Sequence, residues 1–571
     1  MTDNHQFQLL KSRRFAPFFW TQFLGAYNDN VYKNALIILI AYQTTGLSAE
    51  KINVLANVCA GVFTLPFFLF SATAGQMADK YEKAGLIRSI KLAEILVTFC
   101  ACVGLVWHNV YFLIFVLFLF GMQSAFFGPV KYSILPQHLR VRELIGGNGM
   151  VEMGTFVAIL VGTLIGGLLM ANAHYGRLTT GMMVVIAAIM GWLFSLRIPR
   201  AKAVDSRIVI NWNPITQTWR NLRYARSNQT LFYSIVGISW FWSFGGVFLA
   251  QTPNYVKEFL GGNAYIVTLL LTMFSIGIGT GSLLCERLSA QRIELGLVPW
   301  GVLGLVVFTL DFYSNQTVAH TGPLVNFVTF MSEWKHWHLM LDTLLMGMFG
   351  GFYIVPLYAL IQYRSPANLR SRIIAANNIM NSFFMVCTAT VALVLLERGF
   401  TIPQLFLLAA LMTLAVAILV FYKNPEFILH FMTWSTITFC YRITVDKAII
   451  TLPQHHGCGV MLSITKLHQL LILMGALPRT PRFVVTPKAY QRWRFIFKTA
   501  HAIVANTTEE ALHVIKEQWH KGSLLCLSSE LLPDEFTVTQ LPQHIQDTLY
   551  SLTLDPTHQL SPAFSLSLLS K

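Results

Sequence analysis

Twelve apolar runs, each long enough to cross a lipid bilayer, constrain this chain more than any other feature. A hydrocarbon core roughly 30 Å thick is spanned by about 20 residues of helix. Backbone polar groups inside that core find no water, so each run must satisfy them within its own helix. The runs predict helices near 18–42, 53–78, 86–107, 109–134, 147–172 and 177–197, then near 230–252, 264–285, 295–313, 338–363, 371–396 and 402–422. Only 12% of the residues are charged and 54% are hydrophobic, whereas a soluble domain carries about 25% charged residues. The predicted fold class is all-α and membrane-embedded, in two six-helix halves, with a small cytoplasmic α/β tail.

The net charge of +15 does not point to nucleic acid, because the cations sit in alternate short loops. Lys11, Arg13 and Arg14 precede the first run; Lys80, Lys83 and Arg88 flank the second loop; Lys131, Arg140 and Arg142 flank the fourth. Seven cations lie between Arg197 and Arg226, and Arg364, Arg370 and Arg372 follow the tenth run. The intervening loops hold one cation or none, such as Lys51, Arg177, Lys257, Lys335 and Arg398. Positive loops stay on the cytoplasmic side, so both ends of the chain and the tail are expected there. The first fourteen residues are polar, and the first run reads as a retained span rather than a cleaved signal. Trp334 and Trp337 close the loop 314–337, an expected outer cap. Cys59, Cys100, Cys102, Cys285 and Cys387 lie inside apolar runs and read as small buried hydrophobes; no metal or cofactor is expected.

One unit occurs twice. Residues 121–155 carry Pro129, Lys131, Tyr132, Gln137, Arg140, Arg142 and Asn148, and residues 347–381 answer with Pro356, Tyr358, Gln362, Arg370, Arg372 and Asn377. A duplicated membrane unit predicts two halves facing each other across a substrate path.

Within the runs, Asp29 and Lys33 in helix one, Glu94 in helix three and Glu152 in helix five stand out, with Lys91 and Lys131 near helix ends. A charge at membrane depth costs at least roughly 2.5–3.5 kcal/mol on insertion scales, so such groups face a cavity or a partner. Asp29 and Lys33 are four residues apart and either neutralise each other or serve binding or gating. Lys91 either snorkels to the surface or pairs with Glu94, which otherwise pairs with a neighbouring helix. A zwitterionic headgroup needs an acid, a cation and neutral donors: Asp29 and Glu152 suit an amine, and Lys33 or Lys131 a phosphate, with Asn30 beside them. The stretch 239–251, SWFWSFGGVFLAQ, sets Trp240 and Trp242 beside a glycine pair. It suits either packing or an acyl chain.

The loop GQMADKYEK at 75–83 resembles the signature loop of the major facilitator superfamily, and GSLLCERLSAQR at 281–292 looks like a degenerate partner. Gly75 permits close helix approach, and Asp79 and Lys80 can make and break charged contacts at an inner mouth. Glu286 and Arg287 occupy the second copy. The segments 25–36, 128–139, 148–167, 239–251 and 274–286, with IVPLYALIQ and AANNIMN, resemble the lysophospholipid transporter branch of that superfamily over about residues 10–425. The resemblance implies a twelve-helix fold with alternating access and movement of lysophospholipids, such as lysophosphatidylethanolamine, from the outer to the inner leaflet of a bacterial inner membrane. Asp29, Asn30, Lys131 and Glu152 match its motif positions.

After Pro425 the character changes. A helix near 427–441 precedes short β-branched runs alternating with helical ones, as in an α/β domain. Their order resembles the glycerolipid acyltransferase domain fused to such transporters. That chemistry needs a histidine base five residues before an aspartate. None of the 16 histidines has Asp at that spacing. The histidine place falls near Ile464, the aspartate place near Gln469, and the downstream loop is reduced to Ser529-Glu530-Leu531. The tail reads as a decayed, non-catalytic module whose cations from Arg479 to Arg494 suit anionic lipid heads.

The predicted organisation is 1–196 first half, 197–229 basic linker, 230–425 second half and 426–571 tail. The expected partners are a lysophospholipid substrate, membrane lipids and a separate acyltransferase, with no nucleic acid. Alternatives are transport of another amphiphile (a siderophore or drug), an active membrane acyltransferase, and a non-transporting scaffold.

Overall fold

The computed structural model describes residues 5–43, 49–172, 174–290, 292–315 and 325–440, and in the tail 444–445, 458–462, 467–476, 481–520, 524–528, 549–555 and 563–568. It divides into two compact units, one of residues 1–293 and 300–424, the other of 294–299 and 425–571.

The first unit is a bundle of twelve long helices: α1 (Ala16–Ile38), α2 (Ala49–Lys80), α3 (Lys83–Trp107), α4 (Val110–His138), α5 (Leu144–Met170), α6 (Gly176–Leu196), α7 (Gln229–Glu258), α8 (Ala264–Leu288), α9 (Leu297–Ser314), α10 (Trp334–Arg364), α11 (Arg370–Glu397) and α12 (Ile402–Lys423). Among the described residues eleven are long and apolar enough to cross a membrane. The exception is α1, whose 23 residues hold Gln22, Asn28, Asp29, Asn30, Lys33 and Asn34. It ends in a π-turn over Leu39–Gln43. Local signals set the ends: Asn109 caps α4 by accepting the Phe112 amide, and Thr401 and Gln404 form a capping box on α12. Pro129 and Pro136 sit inside α4 and Pro356 inside α10, each removing one helical hydrogen bond.

The duplication seen in sequence reappears in packing. In the first half α1 packs on α5 and α6, and α2 on α4; in the second half α7 packs on α11 and α12, and α8 on α10. Across the halves α2 meets α11, and α5 meets α8, the corresponding pair. Gly75 lets α2 approach α11 closely, since a Cβ there would lie 2.7 Å from the Ala375 Cβ and 3.0 Å from the Ser371 carbonyl oxygen. Gly149 does the same on α5 against the Ser282 backbone of α8.

The connection 197–229 is not only a basic loop. It contains a helix, Pro214–Arg226, capped by the Asn213 side chain at the Ile215 and Thr216 amides. This helix turns Gln217, Asn221 and Ala225 inward and leaves Ile215 and Trp219 exposed.

The second unit holds a seven-stranded sheet among its described residues, in the order β1 (Thr444–Val445), β7 (Ala563–Leu568), β6 (Leu549–Asp555), β2 (Cys458–Leu462), β5 (Leu524–Ser528), β3 (Arg482–Val485), β4 (Ile503–Val504). All neighbours are parallel except β6 and β7. Leu470–Leu473, Phe483, Val485, Phe497 and Cys526 form its core. Ile464, Arg479 and Ser529–Leu531 lie outside the described residues; Gln469 lies in the helix Leu467–Ala476.

Candidate functional site

The basic loops gather at one end of the bundle. There Arg14 forms a fork with Glu143, one arm at 2.7 Å, and the guanidinium is held more firmly protonated by that carboxylate. At the same end the mouth between the halves is shut by named contacts. The Arg372 Nε on α11 donates to Asp79 Oδ2 on α2 at 3.0 Å, with Asp79 fully buried. The same aspartate's carbonyl accepts the amides of Val204 and Asp205 in the linker, at 2.9 and 3.1 Å. At the corresponding place in the second half, Glu286 Oε2 accepts the Gln6 amide at 3.1 Å. Lys80 lies half-buried, 5.7 Å from the Tyr81 ring centre, and Arg287 is exposed.

Deeper in, Asn148 and Gln362 exchange two amide hydrogen bonds of 2.8 Å across the halves. Tyr132 and Tyr358 stack with ring centres 4.3 Å apart and planes 6° apart. These two tyrosines occupy neighbouring places in the duplicated unit. The Tyr132 hydroxyl donates to Glu152 Oε1 at 2.7 Å, and the Trp242 indole N–H donates to the Tyr358 hydroxyl at 2.9 Å. Trp242 stacks in turn on Phe156, at 5.7 Å, which meets Phe274 edge-on. A polar and aromatic chain therefore runs from Glu152 on α5 to Trp242 on α7.

The six charged residues that the sequence places within the spans of the first half do not form one cluster. Asp29 Oδ1 accepts from Gln123 Nε2 at 3.1 Å and Oδ2 from Ser124 Oγ at 2.5 Å, both on α4. Lys33 instead lies half-buried over the Phe63 ring at 5.3 Å, so the i,i+4 pair does not close among the described residues. Spacing made the two neighbours; α4 supplied Asp29 with better partners. Lys91 and Glu94 form an ion pair of 2.6 Å, each 1% exposed, and Asn28 Nδ2 adds a bond of 3.1 Å to Glu94. Lys131 Nζ donates to Thr155 Oγ1 at 3.1 Å and is half-buried. Glu152 is fully buried, and its Oε2 has no hydrogen-bond partner among the described residues. Asn30 turns back to the Ala26 carbonyl of its own helix at 2.7 Å.

One of the sequence-derived assignments needs correction. Trp240 does not join Trp242: two residues along a helix point to nearly opposite faces, and the Trp240 indole donates to Thr413 on α12 at 2.9 Å. Asp29 and Glu152 are both buried in this conformation, 9% and 0% exposed, each with protein hydrogen-bond partners. Reading the sequence missed Gln6, Tyr358, Gln362 and Arg372 as partners across the halves. The duplicated unit carried the signal for the last three.

The arrangement is a bundle whose halves are joined by breakable polar contacts at one end, with more buried ionic groups in the first half than in the second among the described residues. A model of the Major Facilitator Superfamily matches residues 18–331. A protein of Serratia proteamaculans (strain 568) described as lysophospholipid transporter LplT is 29% identical over 363 residues, covering 62% of this chain and 81% of the relative. Its counterpart in Yersinia pestis (strain Pestoides F) is 28% identical over 363 residues, with 62% and 80% covered. Among solved structures, the Major Facilitator Superfamily transporter FucP in the outward conformation aligns with a TM-score of 0.54 at 15% identity, covering 72% of this chain and 98% of that one. A bacterial homologue of the iron transporter ferroportin in an outward-facing state aligns with a TM-score of 0.52 at 14% identity, covering 74% and 99%. With more than half its length matched by the family model and its helices packed in the same fold, this chain is a multi-pass membrane transporter and belongs to the Major Facilitator Superfamily.

Proposed function

We propose that the transporter moves lysophospholipids, such as lysophosphatidylethanolamine, from the outer to the inner leaflet of a bacterial inner membrane. The observation that carries this reading is the division of labour between the halves. Ions of both signs (Asp29, Lys33, Lys91, Glu94, Lys131 and Glu152) lie within the spans of the first half, whereas α7–α12, the buried Asp342 apart, hold their charges toward helix ends. Trp242, Phe248 and Phe274 give the second half an aromatic wall. A molecule with a charged head and one oily chain matches both surfaces. The LplT relatives support the same substrate class.

In this mechanism Lys131 and Lys33 attract the phosphate, while Asp29 and Glu152 serve the amine. The free Oε2 of Glu152 is the acceptor uncovered when Tyr132 and Tyr358 part. Opening at the basic end breaks Asp79–Arg372, Gln6–Glu286 and Asn148–Gln362, and delivers the head to the cytoplasmic leaflet. Both ends of the chain lie in the cytoplasm in this reading. The tail is a decayed acyltransferase-like module without its own chemistry, and a separate acyltransferase consumes the product.

The test is lysolipid flipping in proteoliposomes with varied headgroups, with and without ion gradients. Asp29→Ala and Glu152→Ala should each slow flipping about tenfold, a loss of about 1.4 kcal/mol, while remaining monodisperse. Full transport by both variants would remove the site. Uptake of a soluble solute with no lysolipid flipping would overturn the substrate. Acyl transfer by the purified protein would refute the inert tail.

A further inference from the structure

We propose a transition-metal site at the end of the bundle opposite the basic loops, formed by Asp311 in the last turn of α9 and His338 and Asp342 near the start of α10. The His338 Nε2 lies 3.2 Å from Asp311 Oδ2 and 4.0 Å from Asp342 Oδ1. One ligand atom from each of the three residues falls within 4.8 Å of the others. Bonds of about 2.0–2.1 Å around a tetrahedral ion place ligand atoms about 3.3 Å apart, so small side-chain movements close the set.

Acidic clusters are common without ions, and the deciding feature here is Asp342. Its side chain is 2% exposed, and its Oδ2 is buried with no hydrogen-bond partner among the described residues, although Oδ1 faces His338. A buried carboxylate oxygen left bare is costly. A dipositive ion shared with Asp311 satisfies it. The other two ligands give access: the His338 and Asp311 side chains are 42% and 39% exposed. Asp311 is also oriented, because its Oδ1 accepts from Ser314 Oγ and Asn315 Nδ2, both at 3.3 Å. This leaves its Oδ2 turned to the histidine.

One imidazole nitrogen and two carboxylates suit zinc, manganese, iron or cobalt. Calcium and magnesium prefer more oxygen ligands and no imidazole. Three protein ligands leave a coordination position for water. The ion would tie the ends of α9 and α10 together, far along α10 from Arg364 and the basic mouth. It is not part of the headgroup path and does not depend on the lysolipid assignment.

The experiment uses the full chain in detergent with Zn2+ and Co2+ as probes. Zn2+ titration of the wild type, Asp342→Asn and His338→Gln is followed by calorimetry and by thermal unfolding. X-ray absorption then identifies the ligand atoms of the ion lost in the variants. One wild-type site is expected, with nitrogen and oxygen neighbours only. Each variant should weaken that site at least tenfold and lose the rise in unfolding temperature that Zn2+ gives the wild type. His338→Gln changes a half-exposed side chain, so it keeps the test valid if Asp342→Asn folds poorly. No binding, equal binding in both variants, or a sulfur neighbour (the chain has eight cysteines) would overturn the proposal.

Discussion

Lys91→Met is expected to destabilise the folded transporter by about 3–5 kcal/mol, the cost of removing one member of a buried ion pair. The Lys91 ammonium is the cation bonded to Glu94, 2.6 Å away, and both side chains are 1% exposed. Without it Glu94 keeps, among the described residues, only the Asn28 amide, at 3.1 Å. A lone carboxylate inside a bilayer-spanning helix then has to be neutralised or solvated. The double substitution Lys91→Met with Glu94→Gln should recover most of the loss, because a neutral amide still accepts from Asn28 and no charge is stranded. Thermal unfolding of both variants in one detergent measures this. A single variant as stable as the wild type, or a double variant as weak as the single, would show that the pair is not the buried unit described.

Gly75→Val is expected to lower transport about a hundredfold while the protein still folds. In the closed mouth a Cβ at this position would sit 2.7 Å from the Ala375 Cβ and 3.2 Å from the Arg372 Cα. Two further methyl groups have no room, because the neighbours are helix backbone and a methyl rather than the tip of a flexible side chain. The open conformation separates α2 from α11 and accepts the valine. The wedge therefore biases one state, and a shift from even populations to 99:1 needs only about 2.7 kcal/mol. The accessibility of Asn148→Cys reports the shift. Asn148 is fully buried here, and in the wedge variant a thiol at that position should react with an impermeant reagent from the basic side. Normal transport, or no gain in labelling above the native cysteines, would contradict the closure described at α2 and α11.

The spans were legible because length and hydropathy dictate them directly. The helix Pro214–Arg226 was not, for a physical reason. Its inward face is Gln217, Asn221 and Ala225, with Gln217 Nε2 donating to Asn221 Oδ1 at 2.9 Å. Apolar periodicity pointed to the opposite face, Ile215 and Trp219. The Asn213-Pro214 start signal was the clue present in the sequence. Partners across the halves were less accessible still. Asp79 and Arg372 are separated by 293 residues, and no local pattern joins them. The duplication identified which residues correspond, but not which of the corresponding contacts form. Asn148 meets Gln362, whereas Gln137, which corresponds to Gln362, reaches the Lys202 carbonyl at 3.4 Å.

The polarity of α1 has a consequence for biogenesis. Helix α1 leaves the ribosome before α3 and α4, yet Asn28 depends on Glu94, and Asp29 on Gln123, 94 positions further along. A segment this hydrophilic partitions poorly on its own. It must wait at the translocon, or at the bilayer surface, until its companions are synthesised. Maturation of the first half is thereby a concerted event in which three helices enter lipid together, and a nascent chain halted before α2, with α1 as its one apolar segment, should remain extractable by alkali.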